Sequence, residues 1–584
     1  MIKFKTAAAE AIHAALAQLM KDGAPPSGEL EDMLEYPPDR SMGDIAFPCF
    51  RLSRTMRKAP PVIAGEIRDA LALPQCFSEV TAAGGYLNFR IDPVALSSDT
   101  VSEIIASGDD YGKNRSGEGR TLVIDYSSPN VAKPFHIGHL GTTVIGHSLK
   151  MLYAFSGWNC IGINHLGDWG TQFGKLIVAY RKWGNEEKVK AGGVDALVAL
   201  YVRFHREAEE DPALNDLARA EFTKLEHHDP DNIKLWKWFI SISIEEYEKT
   251  YRQLGITFDH YTGESFYTDL MPAQVEKLRE KKLLTIDDGA SIVDLSKWNM
   301  PPCLILKRDG STLYPTRDIA AAVYRKETYN FDRCIYVTSN QQILHFRQWF
   351  KVVELMGYDW YDELVHIPYG TVSINGEKLS TRSGNVVLLK DLFAMAIEKV
   401  GKIIEEKNPS LENKDEVAEA GGVGAVVFYY LTNSRIKDSD FNLDEALSFE
   451  GNTGPYAQYT YARCCSIVEK SSGIPDESET AGYSPCEAEA ALARTLSLFP
   501  EKVTDAAQLA AAGVLETPAL EVDGRILVSG TVPSRDEIRR MLQKALQADS
   551  PEKGCCSGRP EDSRAVKGNL PHPEAGSCGC GGGG

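Results

Sequence analysis

The 584-residue chain has no apolar run long enough to span a bilayer, and it does not open on a short basic stretch followed by an apolar one. A membrane-spanning or secreted protein is therefore not expected; a soluble, cytoplasmic chain is. Metal-site spacing is missing as well. Twelve cysteines are present, yet neither C-x-x-C nor H-E-x-x-H occurs, and half of the cysteines stand singly, as reduced thiols and small buried apolar residues do. No metal is expected to be bound by side chains of the folded body. Positive charge is also scarce. With 63 lysines and arginines against 82 aspartates and glutamates, the net charge is −19. Contact with a phosphate backbone must then come from local basic patches rather than from a global field. No internal repeat is visible.

What is present begins with Thr121-Leu122-Val123-Ile124-Asp125-Tyr126, a β-branched, apolar run that reads as a strand and is broken by Pro129 and Pro134. From Gly138 onward, Leu140, Val144, Leu152 and Phe155 recur at helical spacing. His136 and His139 thus fall at a helix N-terminus, where unpaired N–H groups and the helix dipole favour anionic phosphate. Standing three apart they can face one nucleotide, while Gly138, without a Cβ, would let a flat ring approach the backbone. Far downstream, Lys378-Leu379-Ser380-Thr381-Arg382 would bring mobile positive charge to the opposite side. Taken singly, H-x-x-H is common on surface helices, and a charged pentapeptide is most often a solvated loop.

The flanking residues are more specific. The block from Ser127 to His139, Ser-Ser-Pro-Asn-Val-Ala-Lys-Pro-Phe-His-Ile-Gly-His, resembles the signature of arginine–tRNA ligases, which are class I aminoacyl-tRNA synthetases. Four further blocks agree in order, beginning at Asn164, Leu313, Lys378 and Phe449, and the resemblance runs from about residue 1 to about residue 500. It implies an α/β protein with a Rossmann-type catalytic domain, an N-terminal α/β accessory domain and a truncated C-terminal helical domain. It implies activation of L-arginine by ATP with Mg²⁺, giving arginyl-adenylate, and transfer to tRNA(Arg); a monomer is expected. That chemistry needs in-line positioning and stabilised charge on the phosphates. By resemblance His136, Gly138, His139 and Lys378 bind ATP, and His136, His139, Lys378, Ser380 and Arg382 are catalytic. Asn130 would hold the amino or carboxylate end of arginine, and Asp125, where the family often has glutamate, would help bind its guanidinium or amino group. Tyr314 and Asp318 would select the guanidinium and Gln342 would complete the pocket. Acceptors set in fork geometry are what separates a planar guanidinium from an ammonium.

The expected domains are an N-terminal tRNA-elbow-binding domain at 1–112, the catalytic domain at 116–408 with a helical insertion at about 182–251, and the start of a helical anticodon-binding domain at 409–500. Contacts to tRNA are expected from Asn88 and Phe89, the aromatic stacking on a splayed base, and from Tyr456, Gln458 and Arg463. An aromatic stripe at helical spacing is, however, more often core. After Pro500 the chain departs from the family, and the anticodon-reading bundle is expected to be missing, with activity possible but impaired. Residues 501–548 instead resemble the second half of a thioredoxin-like domain, with Asp523-Gly524 as a hairpin turn and a capping box at Ser534-Arg535-Asp536-Glu537. Residues 549–584 are Gly- and Pro-rich and expected to be disordered; Cys555, Cys556, Cys578 and Cys580 read as tail thiols sooner than as a soft-metal clamp. The rival to the ligase reading is a non-ligating arginine- or RNA-binding relic with a redox or metal-binding tail.

Overall fold

The computed structural model describes residues 1–20, 23–374, 377–378, 387–471, 483–504, 519–522 and 525–529. Two units are distinguished, Met1–Thr517 and Pro518–Gly584. Of the second, a hairpin is described: Ala519–Val522 pairs antiparallel with Arg525–Ser529, as the Asp-Gly signal predicts. The turn itself, the capping box at 534–537 and the cysteine-rich end lie outside the described residues.

The first unit opens on a small antiparallel sheet of β1 (Ile45–Pro48), β2 (Phe77–Ala83) and β3 (Tyr86–Ile91), in the order β1-β3-β2. The β2–β3 turn is Gly84-Gly85, with φ of 59° and 95°, a conformation that glycine adopts without steric cost. Leu87, Phe89 and Ile91 point to one face and are sealed under the helices Ile2–Leu19 and Pro60–Ala70.

Next comes the main sheet: β4 (Thr121–Asp125), β5 (Asn159–Asn164) and the two-residue β6 (His260–Tyr261). An antiparallel sheet not foreseen in the sequence follows, β7 (Leu284–Asp287), β8 (Ala290–Val293) and β9 (Cys303–Leu306). Then β10 (Arg333–Ser339) and β11 (Leu364–Tyr369) complete a five-stranded parallel sheet of order β11-β10-β4-β5-β6. Strand order reverses between β4 and β10, and in such a sheet the crevice at the strands' carboxyl ends is where ligands bind. Beyond β11 lie β12 (Val372–Ile374), β13 (Glu377–Lys378) and β14 (Ser439–Phe441), and the helices Leu389–Lys407, Lys414–Thr432, Gly454–Lys470 and Glu487–Ser497. The last of these helices is tied to the chain's beginning: the Met1 ammonium donates to Ser497 O at 3.0 Å, and Arg494 pairs with the buried Asp44. Among the described residues no helix is long and apolar enough to cross a membrane.

Between β5 and β6 four helices intervene, Thr171–Trp183, Glu186–Glu210, Ala213–Glu226 and Pro230–Leu254, with apolar clusters of their own. The last of them braces the turn after β4. Ser127, Ser128 and Ala132 have φ of 70°, 47° and 57°; for non-glycine residues this left-handed region costs on the order of 1–2 kcal/mol each. Each strained residue's N–H is taken by a side chain from elsewhere: Ser127 N donates to Thr142 Oγ1 (3.1 Å), Ser128 N to Asn164 Oδ1 (3.1 Å) and Ala132 N to Ser243 Oγ (3.0 Å). The Tyr251 hydroxyl meets Ser127 Oγ at 2.7 Å and accepts from Asn164 Nδ2 at 3.0 Å, while that of Tyr247 lies 2.7 Å from Asn130 O and 2.8 Å from Lys133 O. Deleting the Tyr251 hydroxyl leaves buried Ser127 and Asn164 a partner short, and deleting that of Tyr247 leaves two part-buried carbonyls without their donor. Tyr247→Phe and Tyr251→Phe are each expected to lower unfolding free energy by about 1–3 kcal/mol, read from urea denaturation. Unchanged midpoints would show that the turn holds itself.

Candidate active site

The β4 turn delivers the chain to His136, which caps a 3₁₀ turn, Ile137–His139, leading into the helix Leu140–Phe155. The two histidines complete a reciprocal cap: His136 Nδ1 accepts from Gly138 N at 3.1 Å, and His139 Nδ1 accepts from His136 N at 3.2 Å. With both Nδ1 atoms accepting, each ring's hydrogen sits on Nε2. Burial lowers the His136 imidazole, and burial and the neighbouring His136 push that of His139 down to about 3. The pair is therefore a set of neutral N–H donors rather than of cations. At Gly138 a Cβ would lie 2.8 Å from the His136 ring, so the missing side chain makes room for the capping imidazole.

The backbone of Lys378 lies in β13, and residues that follow the downstream signature meet this turn: Ile137 N donates to Val387 O (3.2 Å) and Leu389 N to Phe135 O (3.0 Å). The Lys378 side chain, Ser380 and Arg382 fall outside the described residues.

At the strand reversal is a cavity of about 400 Å³, whose lining includes neither His136 nor His139. Asp125, Asn130, Tyr314, Asp318 and Gln342, drawn from sites up to 217 residues apart, all line it. Asp125 ends β4. Asn130 follows the strained turn, and its side chain occupies the space of a Cβ at Gly167, where one would meet Oδ1 at 2.3 Å. Tyr314 and Asp318 stand one turn apart on the helix Tyr314–Tyr329, as their spacing predicts, and Gln342 follows β10.

Three more lining residues were not found in the sequence: Glu264, Arg325 and His345. They make the pocket a set of acid–base pairs. Asp125 Oδ2 accepts from Arg325 Nη2 (2.7 Å) and its Oδ1 from Ser128 Oγ (2.8 Å). Glu264 accepts from Arg317 Nη1 (2.7 Å), and Asp318 from His345 Nε2 (2.6 Å). Burial, opposed by Arg317 and reinforced by Asp168 and Asp318, lifts the Glu264 carboxyl to about 7. A pocket so lined can take a planar cation among carboxylates already fixed in direction.

The residues expected to face tRNA behave unequally. Asn88 lines a cavity of about 640 Å³ on the open face of the small sheet, together with Tyr86 and Arg90. Phe89 does not join it. Neighbours on a strand point to opposite faces, and Phe89 is fully buried against Phe77 in the core, so it has no face free for a base. Tyr456 is half-exposed rather than core, with Tyr459 and Tyr461 beside it. Arg463 donates to Tyr459 OH at 3.0 Å, whereas the Gln458 amide is spent on Ala420 O at 3.0 Å, joining two helices.

Comparison with known proteins agrees with this geometry. The family described as tRNA synthetases class I (R), catalytic domain, matches residues 100–443, more than half of the chain. The arginyl tRNA synthetase N terminal domain matches residues 6–91, and a thioredoxin domain matches residues 487–543. The arginine–tRNA ligase of Alkaliphilus metalliredigens is 52% identical over 478 residues, 82% of this chain and 84% of that protein. That of Clostridium perfringens is 53% identical over 441 residues, 76% and 78% of the two chains. The solved arginyl-tRNA synthetase of Thermus thermophilus superposes with a TM-score of 0.69 at 25% identity, covering 93% of this chain and 96% of its own. None of these likenesses favours the relic reading. The chain belongs to the arginine–tRNA ligase family of class I aminoacyl-tRNA synthetases, whose Rossmann-type catalytic fold it has.

Proposed function

We propose that this chain activates L-arginine with ATP and transfers it to tRNA(Arg). What carries the reading is the single pocket that gathers Asp125, Asn130, Tyr314, Asp318 and Gln342 at the carboxyl ends of β4 and β10. In it the arginine guanidinium lies among the carboxylates, Asn130 holds the amino or carboxylate end, and a carboxylate oxygen faces the α-phosphorus of ATP. That oxygen bonds to phosphorus as the bond to pyrophosphate breaks; a ribose hydroxyl at the tRNA end then attacks the acyl carbon and AMP leaves. His136 and His139 donate Nε2–H to the phosphates, and Lys378 and Arg382, with the Ser380 hydroxyl, stabilise the charge on the departing pyrophosphate. Mg²⁺ accompanies the triphosphate, whose oxygens suit it.

The domain division at 112, 408, 500 and 548 is part of the same proposal, with Asn88 meeting the tRNA elbow, and Tyr456 and Arg463 meeting its anticodon side. We place the protein in the cytoplasm, as a monomer.

Arginine-dependent exchange of pyrophosphate into ATP, measured with tRNA present, tests the ATP site. His139→Asn and Lys378→Ala are expected to lower its rate by about two to four orders of magnitude, the scale of losing a preorganised electrostatic contact, with arginine binding retained. Near-normal exchange in either variant would refute the assignment.

The raised Glu264 carboxyl gives a pH dependence. It holds its proton in the empty fold up to about pH 7, whereas its ordinary value is 4.5. Its contribution to stability is thus full below pH 4.5 and lost as pH rises through about 7. A bound guanidinium favours the ionised form, so arginine affinity should rise with pH, by up to about tenfold per unit, and level off near pH 7. Calorimetric titrations from pH 5.5 to 8 should show that rise in the wild type and a flat profile in Glu264→Gln; a flat wild-type profile would exclude the linkage.

A further inference from the structure

The three carboxylates of the pocket are not held alike. Asp125 and Glu264 are each held at 2.7 Å by an arginine, a permanent cation that offsets the charge of the carboxylate when it is ionised. Asp318 is held at 2.6 Å by an imidazole, through Nε2 of His345. A carboxylate only accepts, so the shared hydrogen belongs to Nε2, and an imidazole carrying that one hydrogen donates without charge. Asp318 is therefore the carboxylate of the three that can be fixed in place without being neutralised.

His345 is itself well placed for this. It stands in the first turn of the helix Ile343–Leu355, three residues after Gln342, and its ring meets Phe346 edge-on at 5.5 Å. Phe346 stacks at 4.1 Å on His366, which pairs with Thr338 Oγ1 at 2.8 Å. Burial, then the nearby His345 and Arg435, push His366 down to about 4, so this ring adds no charge behind the pair. His345, Phe346 and Thr338 all line the same cavity as Asp318.

We propose that His345 is a positioning residue for guanidinium selection: its Nε2–H fixes Oδ2 of Asp318 and leaves Oδ1, with the carboxylate's charge intact, for the substrate. This rests on the arginine-pocket reading and adds to it a residue that need not touch arginine. A hydrogen-bond donor that brings its own positive charge to this position would undo the selection as surely as removing the donor.

The test is binding of arginine, citrulline and ATP to the full chain by calorimetry, in the wild type and in His345→Ala, His345→Gln and His345→Arg. Arginine affinity should fall about 10- to 100-fold in His345→Ala and return to within about threefold of wild type in His345→Gln, which offers an uncharged N–H. It should stay as low in His345→Arg as in His345→Ala, or lower. Affinity for ATP and for uncharged citrulline should hold throughout. Unchanged arginine affinity in His345→Ala overturns the proposal; so does a His345→Gln chain as weak as His345→Ala, or a His345→Arg chain as strong as wild type. If His345→Ala also loses ATP, its folding is affected, and the comparison of Gln with Arg decides. A wild-type chain that binds no arginine would refute the function reading itself, and this proposal with it.

Discussion

The turn after β4 needs help from outside, and much of the catalytic unit is arranged to give it. Ser127, Ser128 and Ala132 occupy a backbone region that non-glycine residues avoid, and their N–H groups point where no ladder partner exists. Thr142, Asn164 and Ser243 take those three hydrogens. Thr142 also donates to Val337 O at 2.6 Å, so one hydroxyl links the turn to β10, the other strand at the reversal point. Ser243, Tyr247 and Tyr251 come from the helical insertion. A charged helical stretch that reads as a solvated interruption of the sheet is thus what keeps Asn130 facing the pocket and His136 at its cap. The insertion is not a neutral decoration: without it Ala132 N would lose its acceptor, and Ser127, Asn164 and the carbonyls of Asn130 and Lys133 would each lose a tyrosine hydroxyl.

Where the sequence was legible, the relevant geometry is local. His136 and His139 are three apart, Tyr314 and Asp318 four apart, and a helix start or one helical turn brings each pair to one place. The Rossmann-type fold was legible through the resemblance that the motif blocks carry, and the hairpin at 519–529 through its Asp-Gly turn. What escaped is tertiary. Glu264 follows β6, a strand of two residues that carries too little pattern to be read, and Arg325 is a charged position on a helix whose buried face is decided by the sheet beneath it. His345 looks like any polar residue early in an amphipathic helix until Asp318 is brought against it. Phe89 was misplaced for a reason the sequence did contain: Leu87, Phe89 and Ile91 share one parity in β3, and Asn88 has the other, so Asn88 and Phe89 could not both face one ligand. The contact that forbids a side chain at Gly138 is with the residue two positions before it, which spacing alone does not reveal.

The electrostatics of the pocket follow from burial more than from net charge. Carboxylates brought together away from water repel one another and lose hydration, and the rise of Glu264 to about 7 is that penalty made visible. Asp125 is paired with Arg325, which is wholly enclosed. Pairing has a consequence for recognition. A pocket of free carboxylates would attract any small cation, lysine included, in proportion to charge alone. Carboxylates already turned by Arg325, Arg317 and His345 have set directions, and a ligand gains from them only if its own donors match those directions. A compact ammonium, with three rotating donors on a flexible stem, gains little from fixed acceptors; a planar guanidinium with a rigid fork gains most. The internal bases thus reduce the pocket's attraction for cations in general, and what attraction remains depends on shape, which is the property that distinguishes arginine from lysine.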